Sequence, residues 1–278
     1  MMKKIIKLIY YFLYDLLKIL KNFGRANNFI ILLPRCFGVL FKIIPIYDKF
    51  NRKFFFQYVR NKYDILTVFE IFSEETYCLS RLKNWSHIKG IYKDIIKDNL
   101  EPLIIDCGSN IGCSTEYFFR IFNEAKFLSL EPNHESLTFS KKNISSSKVT
   151  LINKAVSSDE KKLLIDIKNE DNRVSKISIN QGVEIDSISI DSLINSSNDS
   201  MPFIIKIDIE GFEDNLFSKN YDWIDKFNII IIEIHDWMLP GKSSSYNFFK
   251  ALVENMNKGS KRDIIISGEN LISIKNDK

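Results

Sequence analysis

The sequence predicts an α/β protein built on a doubly wound, mostly parallel β-sheet, with an α-helical extension at its N-terminus. From Pro102 onward, short stretches rich in Ile and Leu alternate with stretches of helical periodicity, which is the pattern of successive βα units. Some of the short stretches are apolar throughout, such as Ile229–Ile232, as expected for strands that helices cover on both faces. A chain of 278 residues, 45% of them hydrophobic, is long enough for one large domain with an appendage.

The predicted extension, residues 1–60, differs from the rest of the chain in charge. It holds twelve Lys or Arg residues and two Asp residues, a formal charge of +10, so residues 61–278 sum to −6. Residues 3–22 predict a helix with a broad apolar face and a narrow cationic stripe, which is typical of a helix lying in a membrane interface. The alternative is a helix packed on the main domain with its lysines in water. The uncharged runs of this region are too short to span a bilayer.

Residues 61–278 form the predicted main domain. Its first two predicted helices are Tyr63–Phe72 and Leu82–Ile96. The strands of the predicted parallel sheet are Leu103–Asp106, Lys126–Leu130, Val149–Asn153, Phe203–Asp208 and Ile229–Ile234. The helices that alternate with these strands are Thr115–Phe122, His134–Asn143, Glu213–Phe217 and Asn247–Met256. A polar, β-rich insert occupies residues 162–193, and a hairpin around Gly268 ends the domain.

The turn after the first of these strands indicates a nucleotide-like ligand. The strand ends at Asp106, and Gly108 and Gly112 bracket the turn, where glycine lets the backbone approach a ligand closely. Glu131 ends the next strand, where an acid accepts hydrogen bonds from ribose hydroxyls. The G-x-G-x-x-G fingerprint is absent, which disfavours a dehydrogenase, and Asp106 would repel a pyrophosphate. Because an acid there suits a sulfonium cation, the sequence predicts S-adenosylmethionine as the cofactor.

Two later strands carry further acids to the same edge of the sheet. Asp208 and Glu210 follow the fourth strand, and Glu233 and His235 follow the fifth. Since the carboxyl ends of parallel strands share one edge and alternate residues share one face, both pairs are expected to converge near the ligand. Purely structural roles, such as helix N-caps or ion pairs with Lys206, are the alternative, because an acid is costly to bury without a partner.

These motifs resemble the FkbM family, a branch of the class I S-adenosylmethionine-dependent methyltransferases. The resemblance rests on Ile105–Gly112, Leu130–Pro132, Lys206–Glu213 and Ile232–His235. It implies a seven-stranded, Rossmann-like sheet and methyl transfer to hydroxyl groups of sugars or macrolide-type metabolites. The cofactor contacts that it implies are Asp106, Gly108, Ser109, Asn110, Gly112, Glu131, Ala155 and Asp208. Glu131 would bind the ribose, and Asp208 would lie beside the methyl group.

Methyl transfer from a sulfonium is an in-line displacement, so most of the catalysis is expected to come from positioning. An alcohol acceptor also loses a proton. We expect His235 or Asp208 to accept that proton, with Glu210 close by and without a metal. The alternative is a divalent metal held by Asp208, Glu210, Glu233 and His235, which would acidify the alcohol.

Together these features predict a cytoplasmic, S-adenosylmethionine-dependent O-methyltransferase that can attach to the inner face of the cell membrane. The four cysteines have no C-x-x-C spacing, which favours free thiols in a reducing compartment, and no secretory signal is recognisable. The expected acceptor is a sugar hydroxyl of a cell-surface glycan or a secondary metabolite, and the acidic main domain disfavours nucleic acid. The alternative is an inactive scaffold recruited to a membrane-associated assembly complex.

Overall fold

The computed structural model describes Tyr10 and residues 42–144, 146–166, 176–178 and 182–276. Apart from Tyr10, the predicted membrane-facing helix at residues 3–22 lies outside the described residues. Within the described part of the chain, no helix combines the length and the apolar character that crossing a bilayer requires.

The described residues alternate between strands and helices along most of their length. The strands are β1 Ile43–Asp48, β2 Lys53–Tyr58, β3 Glu101–Cys107, β4 Lys126–Leu130, β5 Val149–Ile152, β6 Ala155–Val156, β7 Lys162–Asp166, β8 Lys176–Ser178, β9 Val183–Ile188, β10 Ser200–Ile207, β11 Ile229–Glu233, β12 Arg262–Ser267 and β13 Asn270–Lys275. The α-helices are α1 Lys62–Phe69, α2 Trp85–Lys97, α3 Cys113–Ile121, α4 His134–Asn143, α5 Ile190–Asn195, α6 Glu213–Leu216 and α7 Tyr246–Asn257. A π-helical turn, Glu70–Glu74, continues α1.

Seven strands form the main sheet in the order β12-β13-β11-β10-β3-β4-β5. The strands from β11 through β5 run parallel to one another, and β13 and β12 extend the sheet as an antiparallel hairpin. The chain runs outward from β3 to β5 and then returns to β10 on the other side of β3, so the order reverses between β3 and β10. The predicted doubly wound, mostly parallel seven-stranded sheet is confirmed.

Alternating side chains of the central strands supply the two halves of the core. In β3, Ile104 packs in the cluster that includes Ile88 of α2 and Phe118 of α3. Its neighbour Ile105 packs on the opposite face, in the cluster that includes Phe248 of α7. Because both faces are covered, the central strands can be apolar without interruption. The turns at the carboxyl ends of these strands form the edge of the sheet that the covering helices leave open.

A β-hairpin, β1–β2, corrects the prediction that the N-terminal extension is helical as far as residue 60. Strand β1 pairs antiparallel with β2 along its whole length. Ile44 and Ile46 alternate with more exposed neighbours and are buried in the same cluster as Phe118. This period of two is the signature of a strand rather than a helix. The hairpin therefore packs on the main domain instead of belonging to a separate helical appendage.

A smaller sheet stands beside the carboxyl edge of the main sheet. Its strand order is β6-β9-β7-β8, and β7, β8 and β9 lie within the predicted polar insert at residues 162–193. Leu163 and Ile165 of β7 pack with Ala155 of β6, and Phe212 lies against this cluster. Since Phe212 follows β10 in the acid-bearing motif, the small sheet is fixed next to the predicted ligand site.

Candidate active site

A cavity of about 660 Å³ lies at the carboxyl edge of the main sheet, where the strand order reverses. Open α/β sheets bind their ligands at this switch point. The cavity wall includes Asn110 after β3, Glu131 after β4, Asp208 and Glu210 after β10, and His235 after β11. Ser109, Gly108 and Ala155 also line it. The structure therefore brings the three sequence motifs together around one space.

Gly108 is required by the packing of two protein turns. Its backbone has a φ of +83°, and a Cβ at this position would lie 1.8 Å from the carbonyl oxygen of Asp208. The sequence-based expectation is that this glycine makes room for a ligand, but the group that passes closely is the backbone of the turn after β10. Gly112 has a φ of +85° and faces Ser140 in the same way, and it lies outside the cavity wall.

Asp106 is buried behind the cavity wall, which corrects the expectation that it contacts the cofactor directly. Its side chain is completely buried. The hydroxyls of Ser114 and Thr115 each donate to Asp106 Oδ2 at 2.6 Å, and Lys206 Nζ lies 3.2 Å from Oδ1. An acid at a strand end can thus serve an internal cation and a helix start instead of a ligand.

Lys206 joins the two turns on either side of the switch point. Its ammonium donates to the carbonyl oxygen of Gly108 at 2.8 Å and lies 3.3 Å from Asp208 Oδ2. Burial alone would lower the pKa of Lys206, but the charges of Asp106, Tyr77 and Asp208 raise it well above its ordinary value. The lysine is therefore a fixed internal cation that holds Asp208 at the edge of the cavity.

Glu131 presents a buried carboxylate to the cavity. The backbone N–H of Asn110 donates to Glu131 Oε2 at 2.8 Å, and the N–H of Asn133 donates to Oε1 at 2.8 Å. Burial raises the pKa of Glu131 to about 7, although both backbone hydrogen bonds favour the ionised form. The side chain is consequently held in one orientation, with the spare lone pairs of its oxygens available to a hydroxyl donor.

Arg60 supports this part of the cavity wall and was not found from the sequence. Its guanidinium makes two 2.9 Å hydrogen bonds to Asp64 and one to Ser136 of α4, and it also reaches Asn110 Oδ1 at 3.3 Å. The spacing of four residues between Arg60 and Asp64 at a helix start was the available signal. Its contact with the glycine turn, fifty residues later, has no local signature.

His235 lies at the centre of a group of acids that we call the carboxylate cluster: Asp208, Glu210 and Glu233. The imidazole is 2% exposed. Its Nδ1 donates to Glu213 Oε1 at 2.8 Å. Its Nε2 lies 3.5 Å from Glu233, 3.6 Å from Asp208 and 3.9 Å from Glu210. The structure thus brings the two acid-bearing strand ends together, and it adds Glu213 as a fourth acid.

These surroundings argue against His235 as the acceptor of a proton. Burial alone would lower the pKa of the imidazole, but hydrogen bonding to Glu213 and Glu233 and the charge of Asp208 raise it to about 11. An imidazole in this arrangement is protonated at neutral pH. Of the residues predicted to accept the acceptor's proton, Asp208 and Glu210 are better placed chemically.

Comparison with known proteins assigns the chain to a family. The family model described as the methyltransferase FkbM domain matches residues 106–259, which is more than half of the chain and contains every acid-bearing motif described above. The chain belongs to the FkbM methyltransferase family. It is therefore an S-adenosylmethionine-dependent methyltransferase. No curated protein matches the chain in sequence.

Solved structures similar to this FkbM methyltransferase are themselves methyltransferases or parts of them. An SAH-bound methyltransferase of Podospora anserina is 10% identical with a TM-score of 0.40, and the match covers 73% of this chain and 86% of that one. The N-terminal domain of human METTL16 is 15% identical with a TM-score of 0.38, over 70% of this chain and 68% of that one. A precorrin-6y C5,15-methyltransferase of Geobacter metallireducens is 12% identical with a TM-score of 0.35, over 64% and 80%.

The outer wall of the FkbM methyltransferase cavity comes from segments that the sequence motifs do not include. The π-helical turn after α1 contributes Glu70 and Glu74, and Tyr77 follows it. On the opposite side, Trp237 and Met238 line the cavity after the β11 motif. Trp237 is 68% exposed, so its ring forms part of the cavity mouth. These residues surround the entrance at which an acceptor would arrive.

Proposed function

We propose that this protein is an O-methyltransferase that methylates a hydroxyl group of a sugar, in a cell-surface glycan or in a secondary metabolite. The observation that carries the proposal is the carboxylate cluster, which shares one cavity with Asn110 and Glu131 of the cofactor motifs. An alcohol that becomes an ether must lose a proton. Carboxylates at the end of the cavity provide an acceptor for that proton without a separate base.

The cavity suits S-adenosylmethionine in size and in charge. Its volume of about 660 Å³ lies within the range of about 300–1,000 Å³ for small-molecule sites. We assign Glu131 to the ribose hydroxyls, Ser109 and Asn110 to the methionine end, and Ala155 to the adenine. Asp208 and Glu210 offer negative charge for the sulfonium. When bound there, the cofactor supplies an electrophilic methyl group.

The chain's own residues position the acceptor and take up its proton. Lys206 holds the Asp208 carboxylate at 3.3 Å, which fixes one side of the space where the hydroxyl would be held. Asp208 or Glu210 accepts the proton as the oxygen–carbon bond forms. Since positioning supplies most of the acceleration in a displacement of this kind, the rigid turns at Gly108 and Gly211 matter to catalysis as much as the acids do.

The cavity mouth supports a polar, uncharged acceptor such as a sugar. The exposed ring of Trp237 offers a flat apolar face, with an N–H at its edge, on which a pyranose can stack. Acids also surround the mouth, because Glu70, Glu74 and Glu269 line the cavity. A polyanion such as nucleic acid would be repelled by this charge. The acceptor is accordingly proposed to be a neutral or cationic glycoside.

Attachment to the inner face of the membrane is proposed for the N-terminal part of the chain. Residues 3–22 carry the amphipathic pattern, and the hairpin that follows exposes Phe54, Phe56 and Phe50 beside Lys49 and Lys53. Aromatic side chains next to lysines are suited to an anionic lipid surface. Deletion of residues 1–22 is expected to abolish sedimentation with anionic liposomes at low salt. Failure of the full-length protein to sediment would refute the attachment.

Binding and transfer experiments test the enzymatic proposal. Calorimetry with S-adenosylmethionine and S-adenosylhomocysteine should show one binding site, and labelled methyl groups should appear on a hydroxyl of a glycan or small glycoside. Mass spectrometry of glycans from the native host, with and without the gene, would identify the acceptor. The absence of binding to both compounds would refute the enzyme. Binding without transfer to any glycan or metabolite of the host would favour the inactive scaffold.

A further inference from the structure

We propose that Asp208, Glu233 and His235 form a binding site for one divalent cation, Mg²⁺ or Mn²⁺, at the acceptor end of the cavity. Its catalytic role rests on the proposed methyl transfer to a hydroxyl. One ligand atom from each of the three residues can be chosen so that all lie within 4.8 Å of one another. Ligands bound at about 2.1 Å to one ion are about 3 to 4.2 Å apart, so His235 Nε2, at 3.5 Å from Glu233 and 3.6 Å from Asp208, fits this spacing.

The orientation of His235 points independently to a ligand. The side chain is almost fully buried, yet its Nε2 makes no contact with a carboxylate oxygen shorter than 3.5 Å. An N–H···O hydrogen bond is normally 2.7–3.2 Å long. Three carboxylates surround this nitrogen without approaching it closely. Such a shell is the one expected around a central cation to which both the nitrogen and the oxygens bind.

Glu213 completes the arrangement from the opposite side of the imidazole. His235 Nδ1 donates to Glu213 Oε1 at 2.8 Å, and Glu213 is itself buried. Histidines that bind metals usually donate their other ring N–H to a carboxylate, which fixes the tautomer and orients the binding nitrogen. The donor set of two carboxylates and one imidazole favours Mg²⁺ or Mn²⁺, because hard oxygen ligands predominate.

A cation at this position changes the role of each acid in the reaction. The cation lowers the pKa of the acceptor hydroxyl that it contacts, and the hydroxyl proton passes to Glu210, which completes the carboxylate cluster. The oxygen then forms its bond to the methyl carbon as the carbon–sulfur bond breaks. The electron pair of that bond remains on sulfur, which becomes a neutral thioether. Asp208 therefore acts as a metal ligand, and Glu210 acts as the proton acceptor.

Manganese titration of the full-length protein tests the site without requiring an acceptor. After treatment with EDTA and removal of the chelator, electron paramagnetic resonance measures free Mn²⁺, and calorimetry measures S-adenosylhomocysteine binding on the same sample. We expect one Mn²⁺ per chain and a loss of affinity of about tenfold or more in Glu233→Gln. Glu269→Gln is the matched control, because it removes one carboxylate from the same cavity wall outside the cluster. Its affinity should change by less than about twofold.

The outcomes separate the metal site from the proposed function. No binding of Mn²⁺ at about 1 mM, the weak end of biological divalent sites, would overturn the metal site, as would equal affinities in Glu233→Gln and Glu269→Gln. Binding of S-adenosylhomocysteine in that case would leave the O-methyltransferase proposal intact. Absence of S-adenosylhomocysteine binding would refute the methyltransferase proposal whatever Mn²⁺ does. Thermal unfolding of each variant shows whether it folds, and Asp208→Asn replaces Glu233→Gln if the latter does not.

Discussion

Replacement of Gly108 by alanine tests the reasoning about how the active site is assembled. The added Cβ would stand 1.8 Å from the carbonyl oxygen of Asp208, whereas ordinary contact begins at 3.4 Å. The two turns must therefore separate by about 1.6 Å. Because Lys206 bonds to Gly108 and approaches Asp208, the separation also pulls apart the ion pair that fixes the proposed methyl-side acid.

Two terms contribute to the expected loss of stability. A non-glycine residue in the left-handed region costs about 1–2 kcal/mol, and the backbone φ of +83° at Gly108 lies in that region. Forced displacement in a close-packed site costs about 1–3 kcal/mol more. The Gly108→Ala variant should therefore be about 2–5 kcal/mol less stable than the wild type, or roughly 5 °C or more lower in melting temperature. Its affinity for S-adenosylhomocysteine should fall by about tenfold or more.

Two other glycines separate these terms experimentally. Gly241 has a φ of +80° and open space where a Cβ would lie, so Gly241→Ala reports the backbone strain alone. Gly90 lies inside α2, and a Cβ there meets nothing within 4 Å, so Gly90→Ala should stabilise the protein by up to about 1 kcal/mol. Urea unfolding and calorimetry of the three variants supply the comparison. If Gly108→Ala loses no more stability than Gly241→Ala, the close approach of the two turns is not a real constraint.

Three further substitutions probe other parts of the site. Because the pKa of Glu131 in the folded protein, about 7, exceeds its ordinary value of 4.5, its buried carboxyl loses about 3 kcal/mol of stability as the pH rises through that interval. Glu131→Gln should gain stability relative to wild type by up to that amount in urea unfolding between pH 5 and pH 8, and a constant difference would contradict the buried pKa. Trp237→Ala should raise the KM for the acceptor several-fold without changing S-adenosylhomocysteine affinity, and a change in calorimetric affinity would place the ring at the cofactor instead. Arg60→Lys should lose about 2 kcal/mol because a lysine cannot reproduce the paired bonds to Asp64, and an unchanged urea midpoint would show that those bonds contribute nothing.

The central sheet could be predicted because its physical cause is local. Strands such as β10 and β11 are buried on both faces, so each is a short apolar run that needs no knowledge of its partners. The hairpin β1–β2 was missed because its identity depends on pairing. Ile43–Asp48 contains as many apolar residues as a helix would, and its alternating burial becomes evident only once β2 and the core around Phe118 are in place.

The candidate site divides in the same way between local and long-range causes. Strand order and the position of acids at strand ends were enough to predict that Asp208 and His235 meet. They could not show whether an acid at a strand end faces inward or outward. Asp106 turns toward Lys206, Ser114 and Thr115, because a buried lysine on the neighbouring strand offers it more stabilisation than the solvent-facing cavity does.

The chemistry of the carboxylate cluster depends on distances that no sequence pattern specifies. A His235 Nε2 hydrogen-bonded at about 2.8 Å to one acid would be a histidinium in an ion pair, a satisfied group with no need of a ligand. The same nitrogen at 3.5 to 3.9 Å from three acids leaves a space that a cation fills and a proton alone does not bridge. A proton and a divalent cation both neutralise part of the charge of these acids. Only the cation can also bind the acceptor oxygen, which is why the geometry of this one nitrogen carries the mechanism.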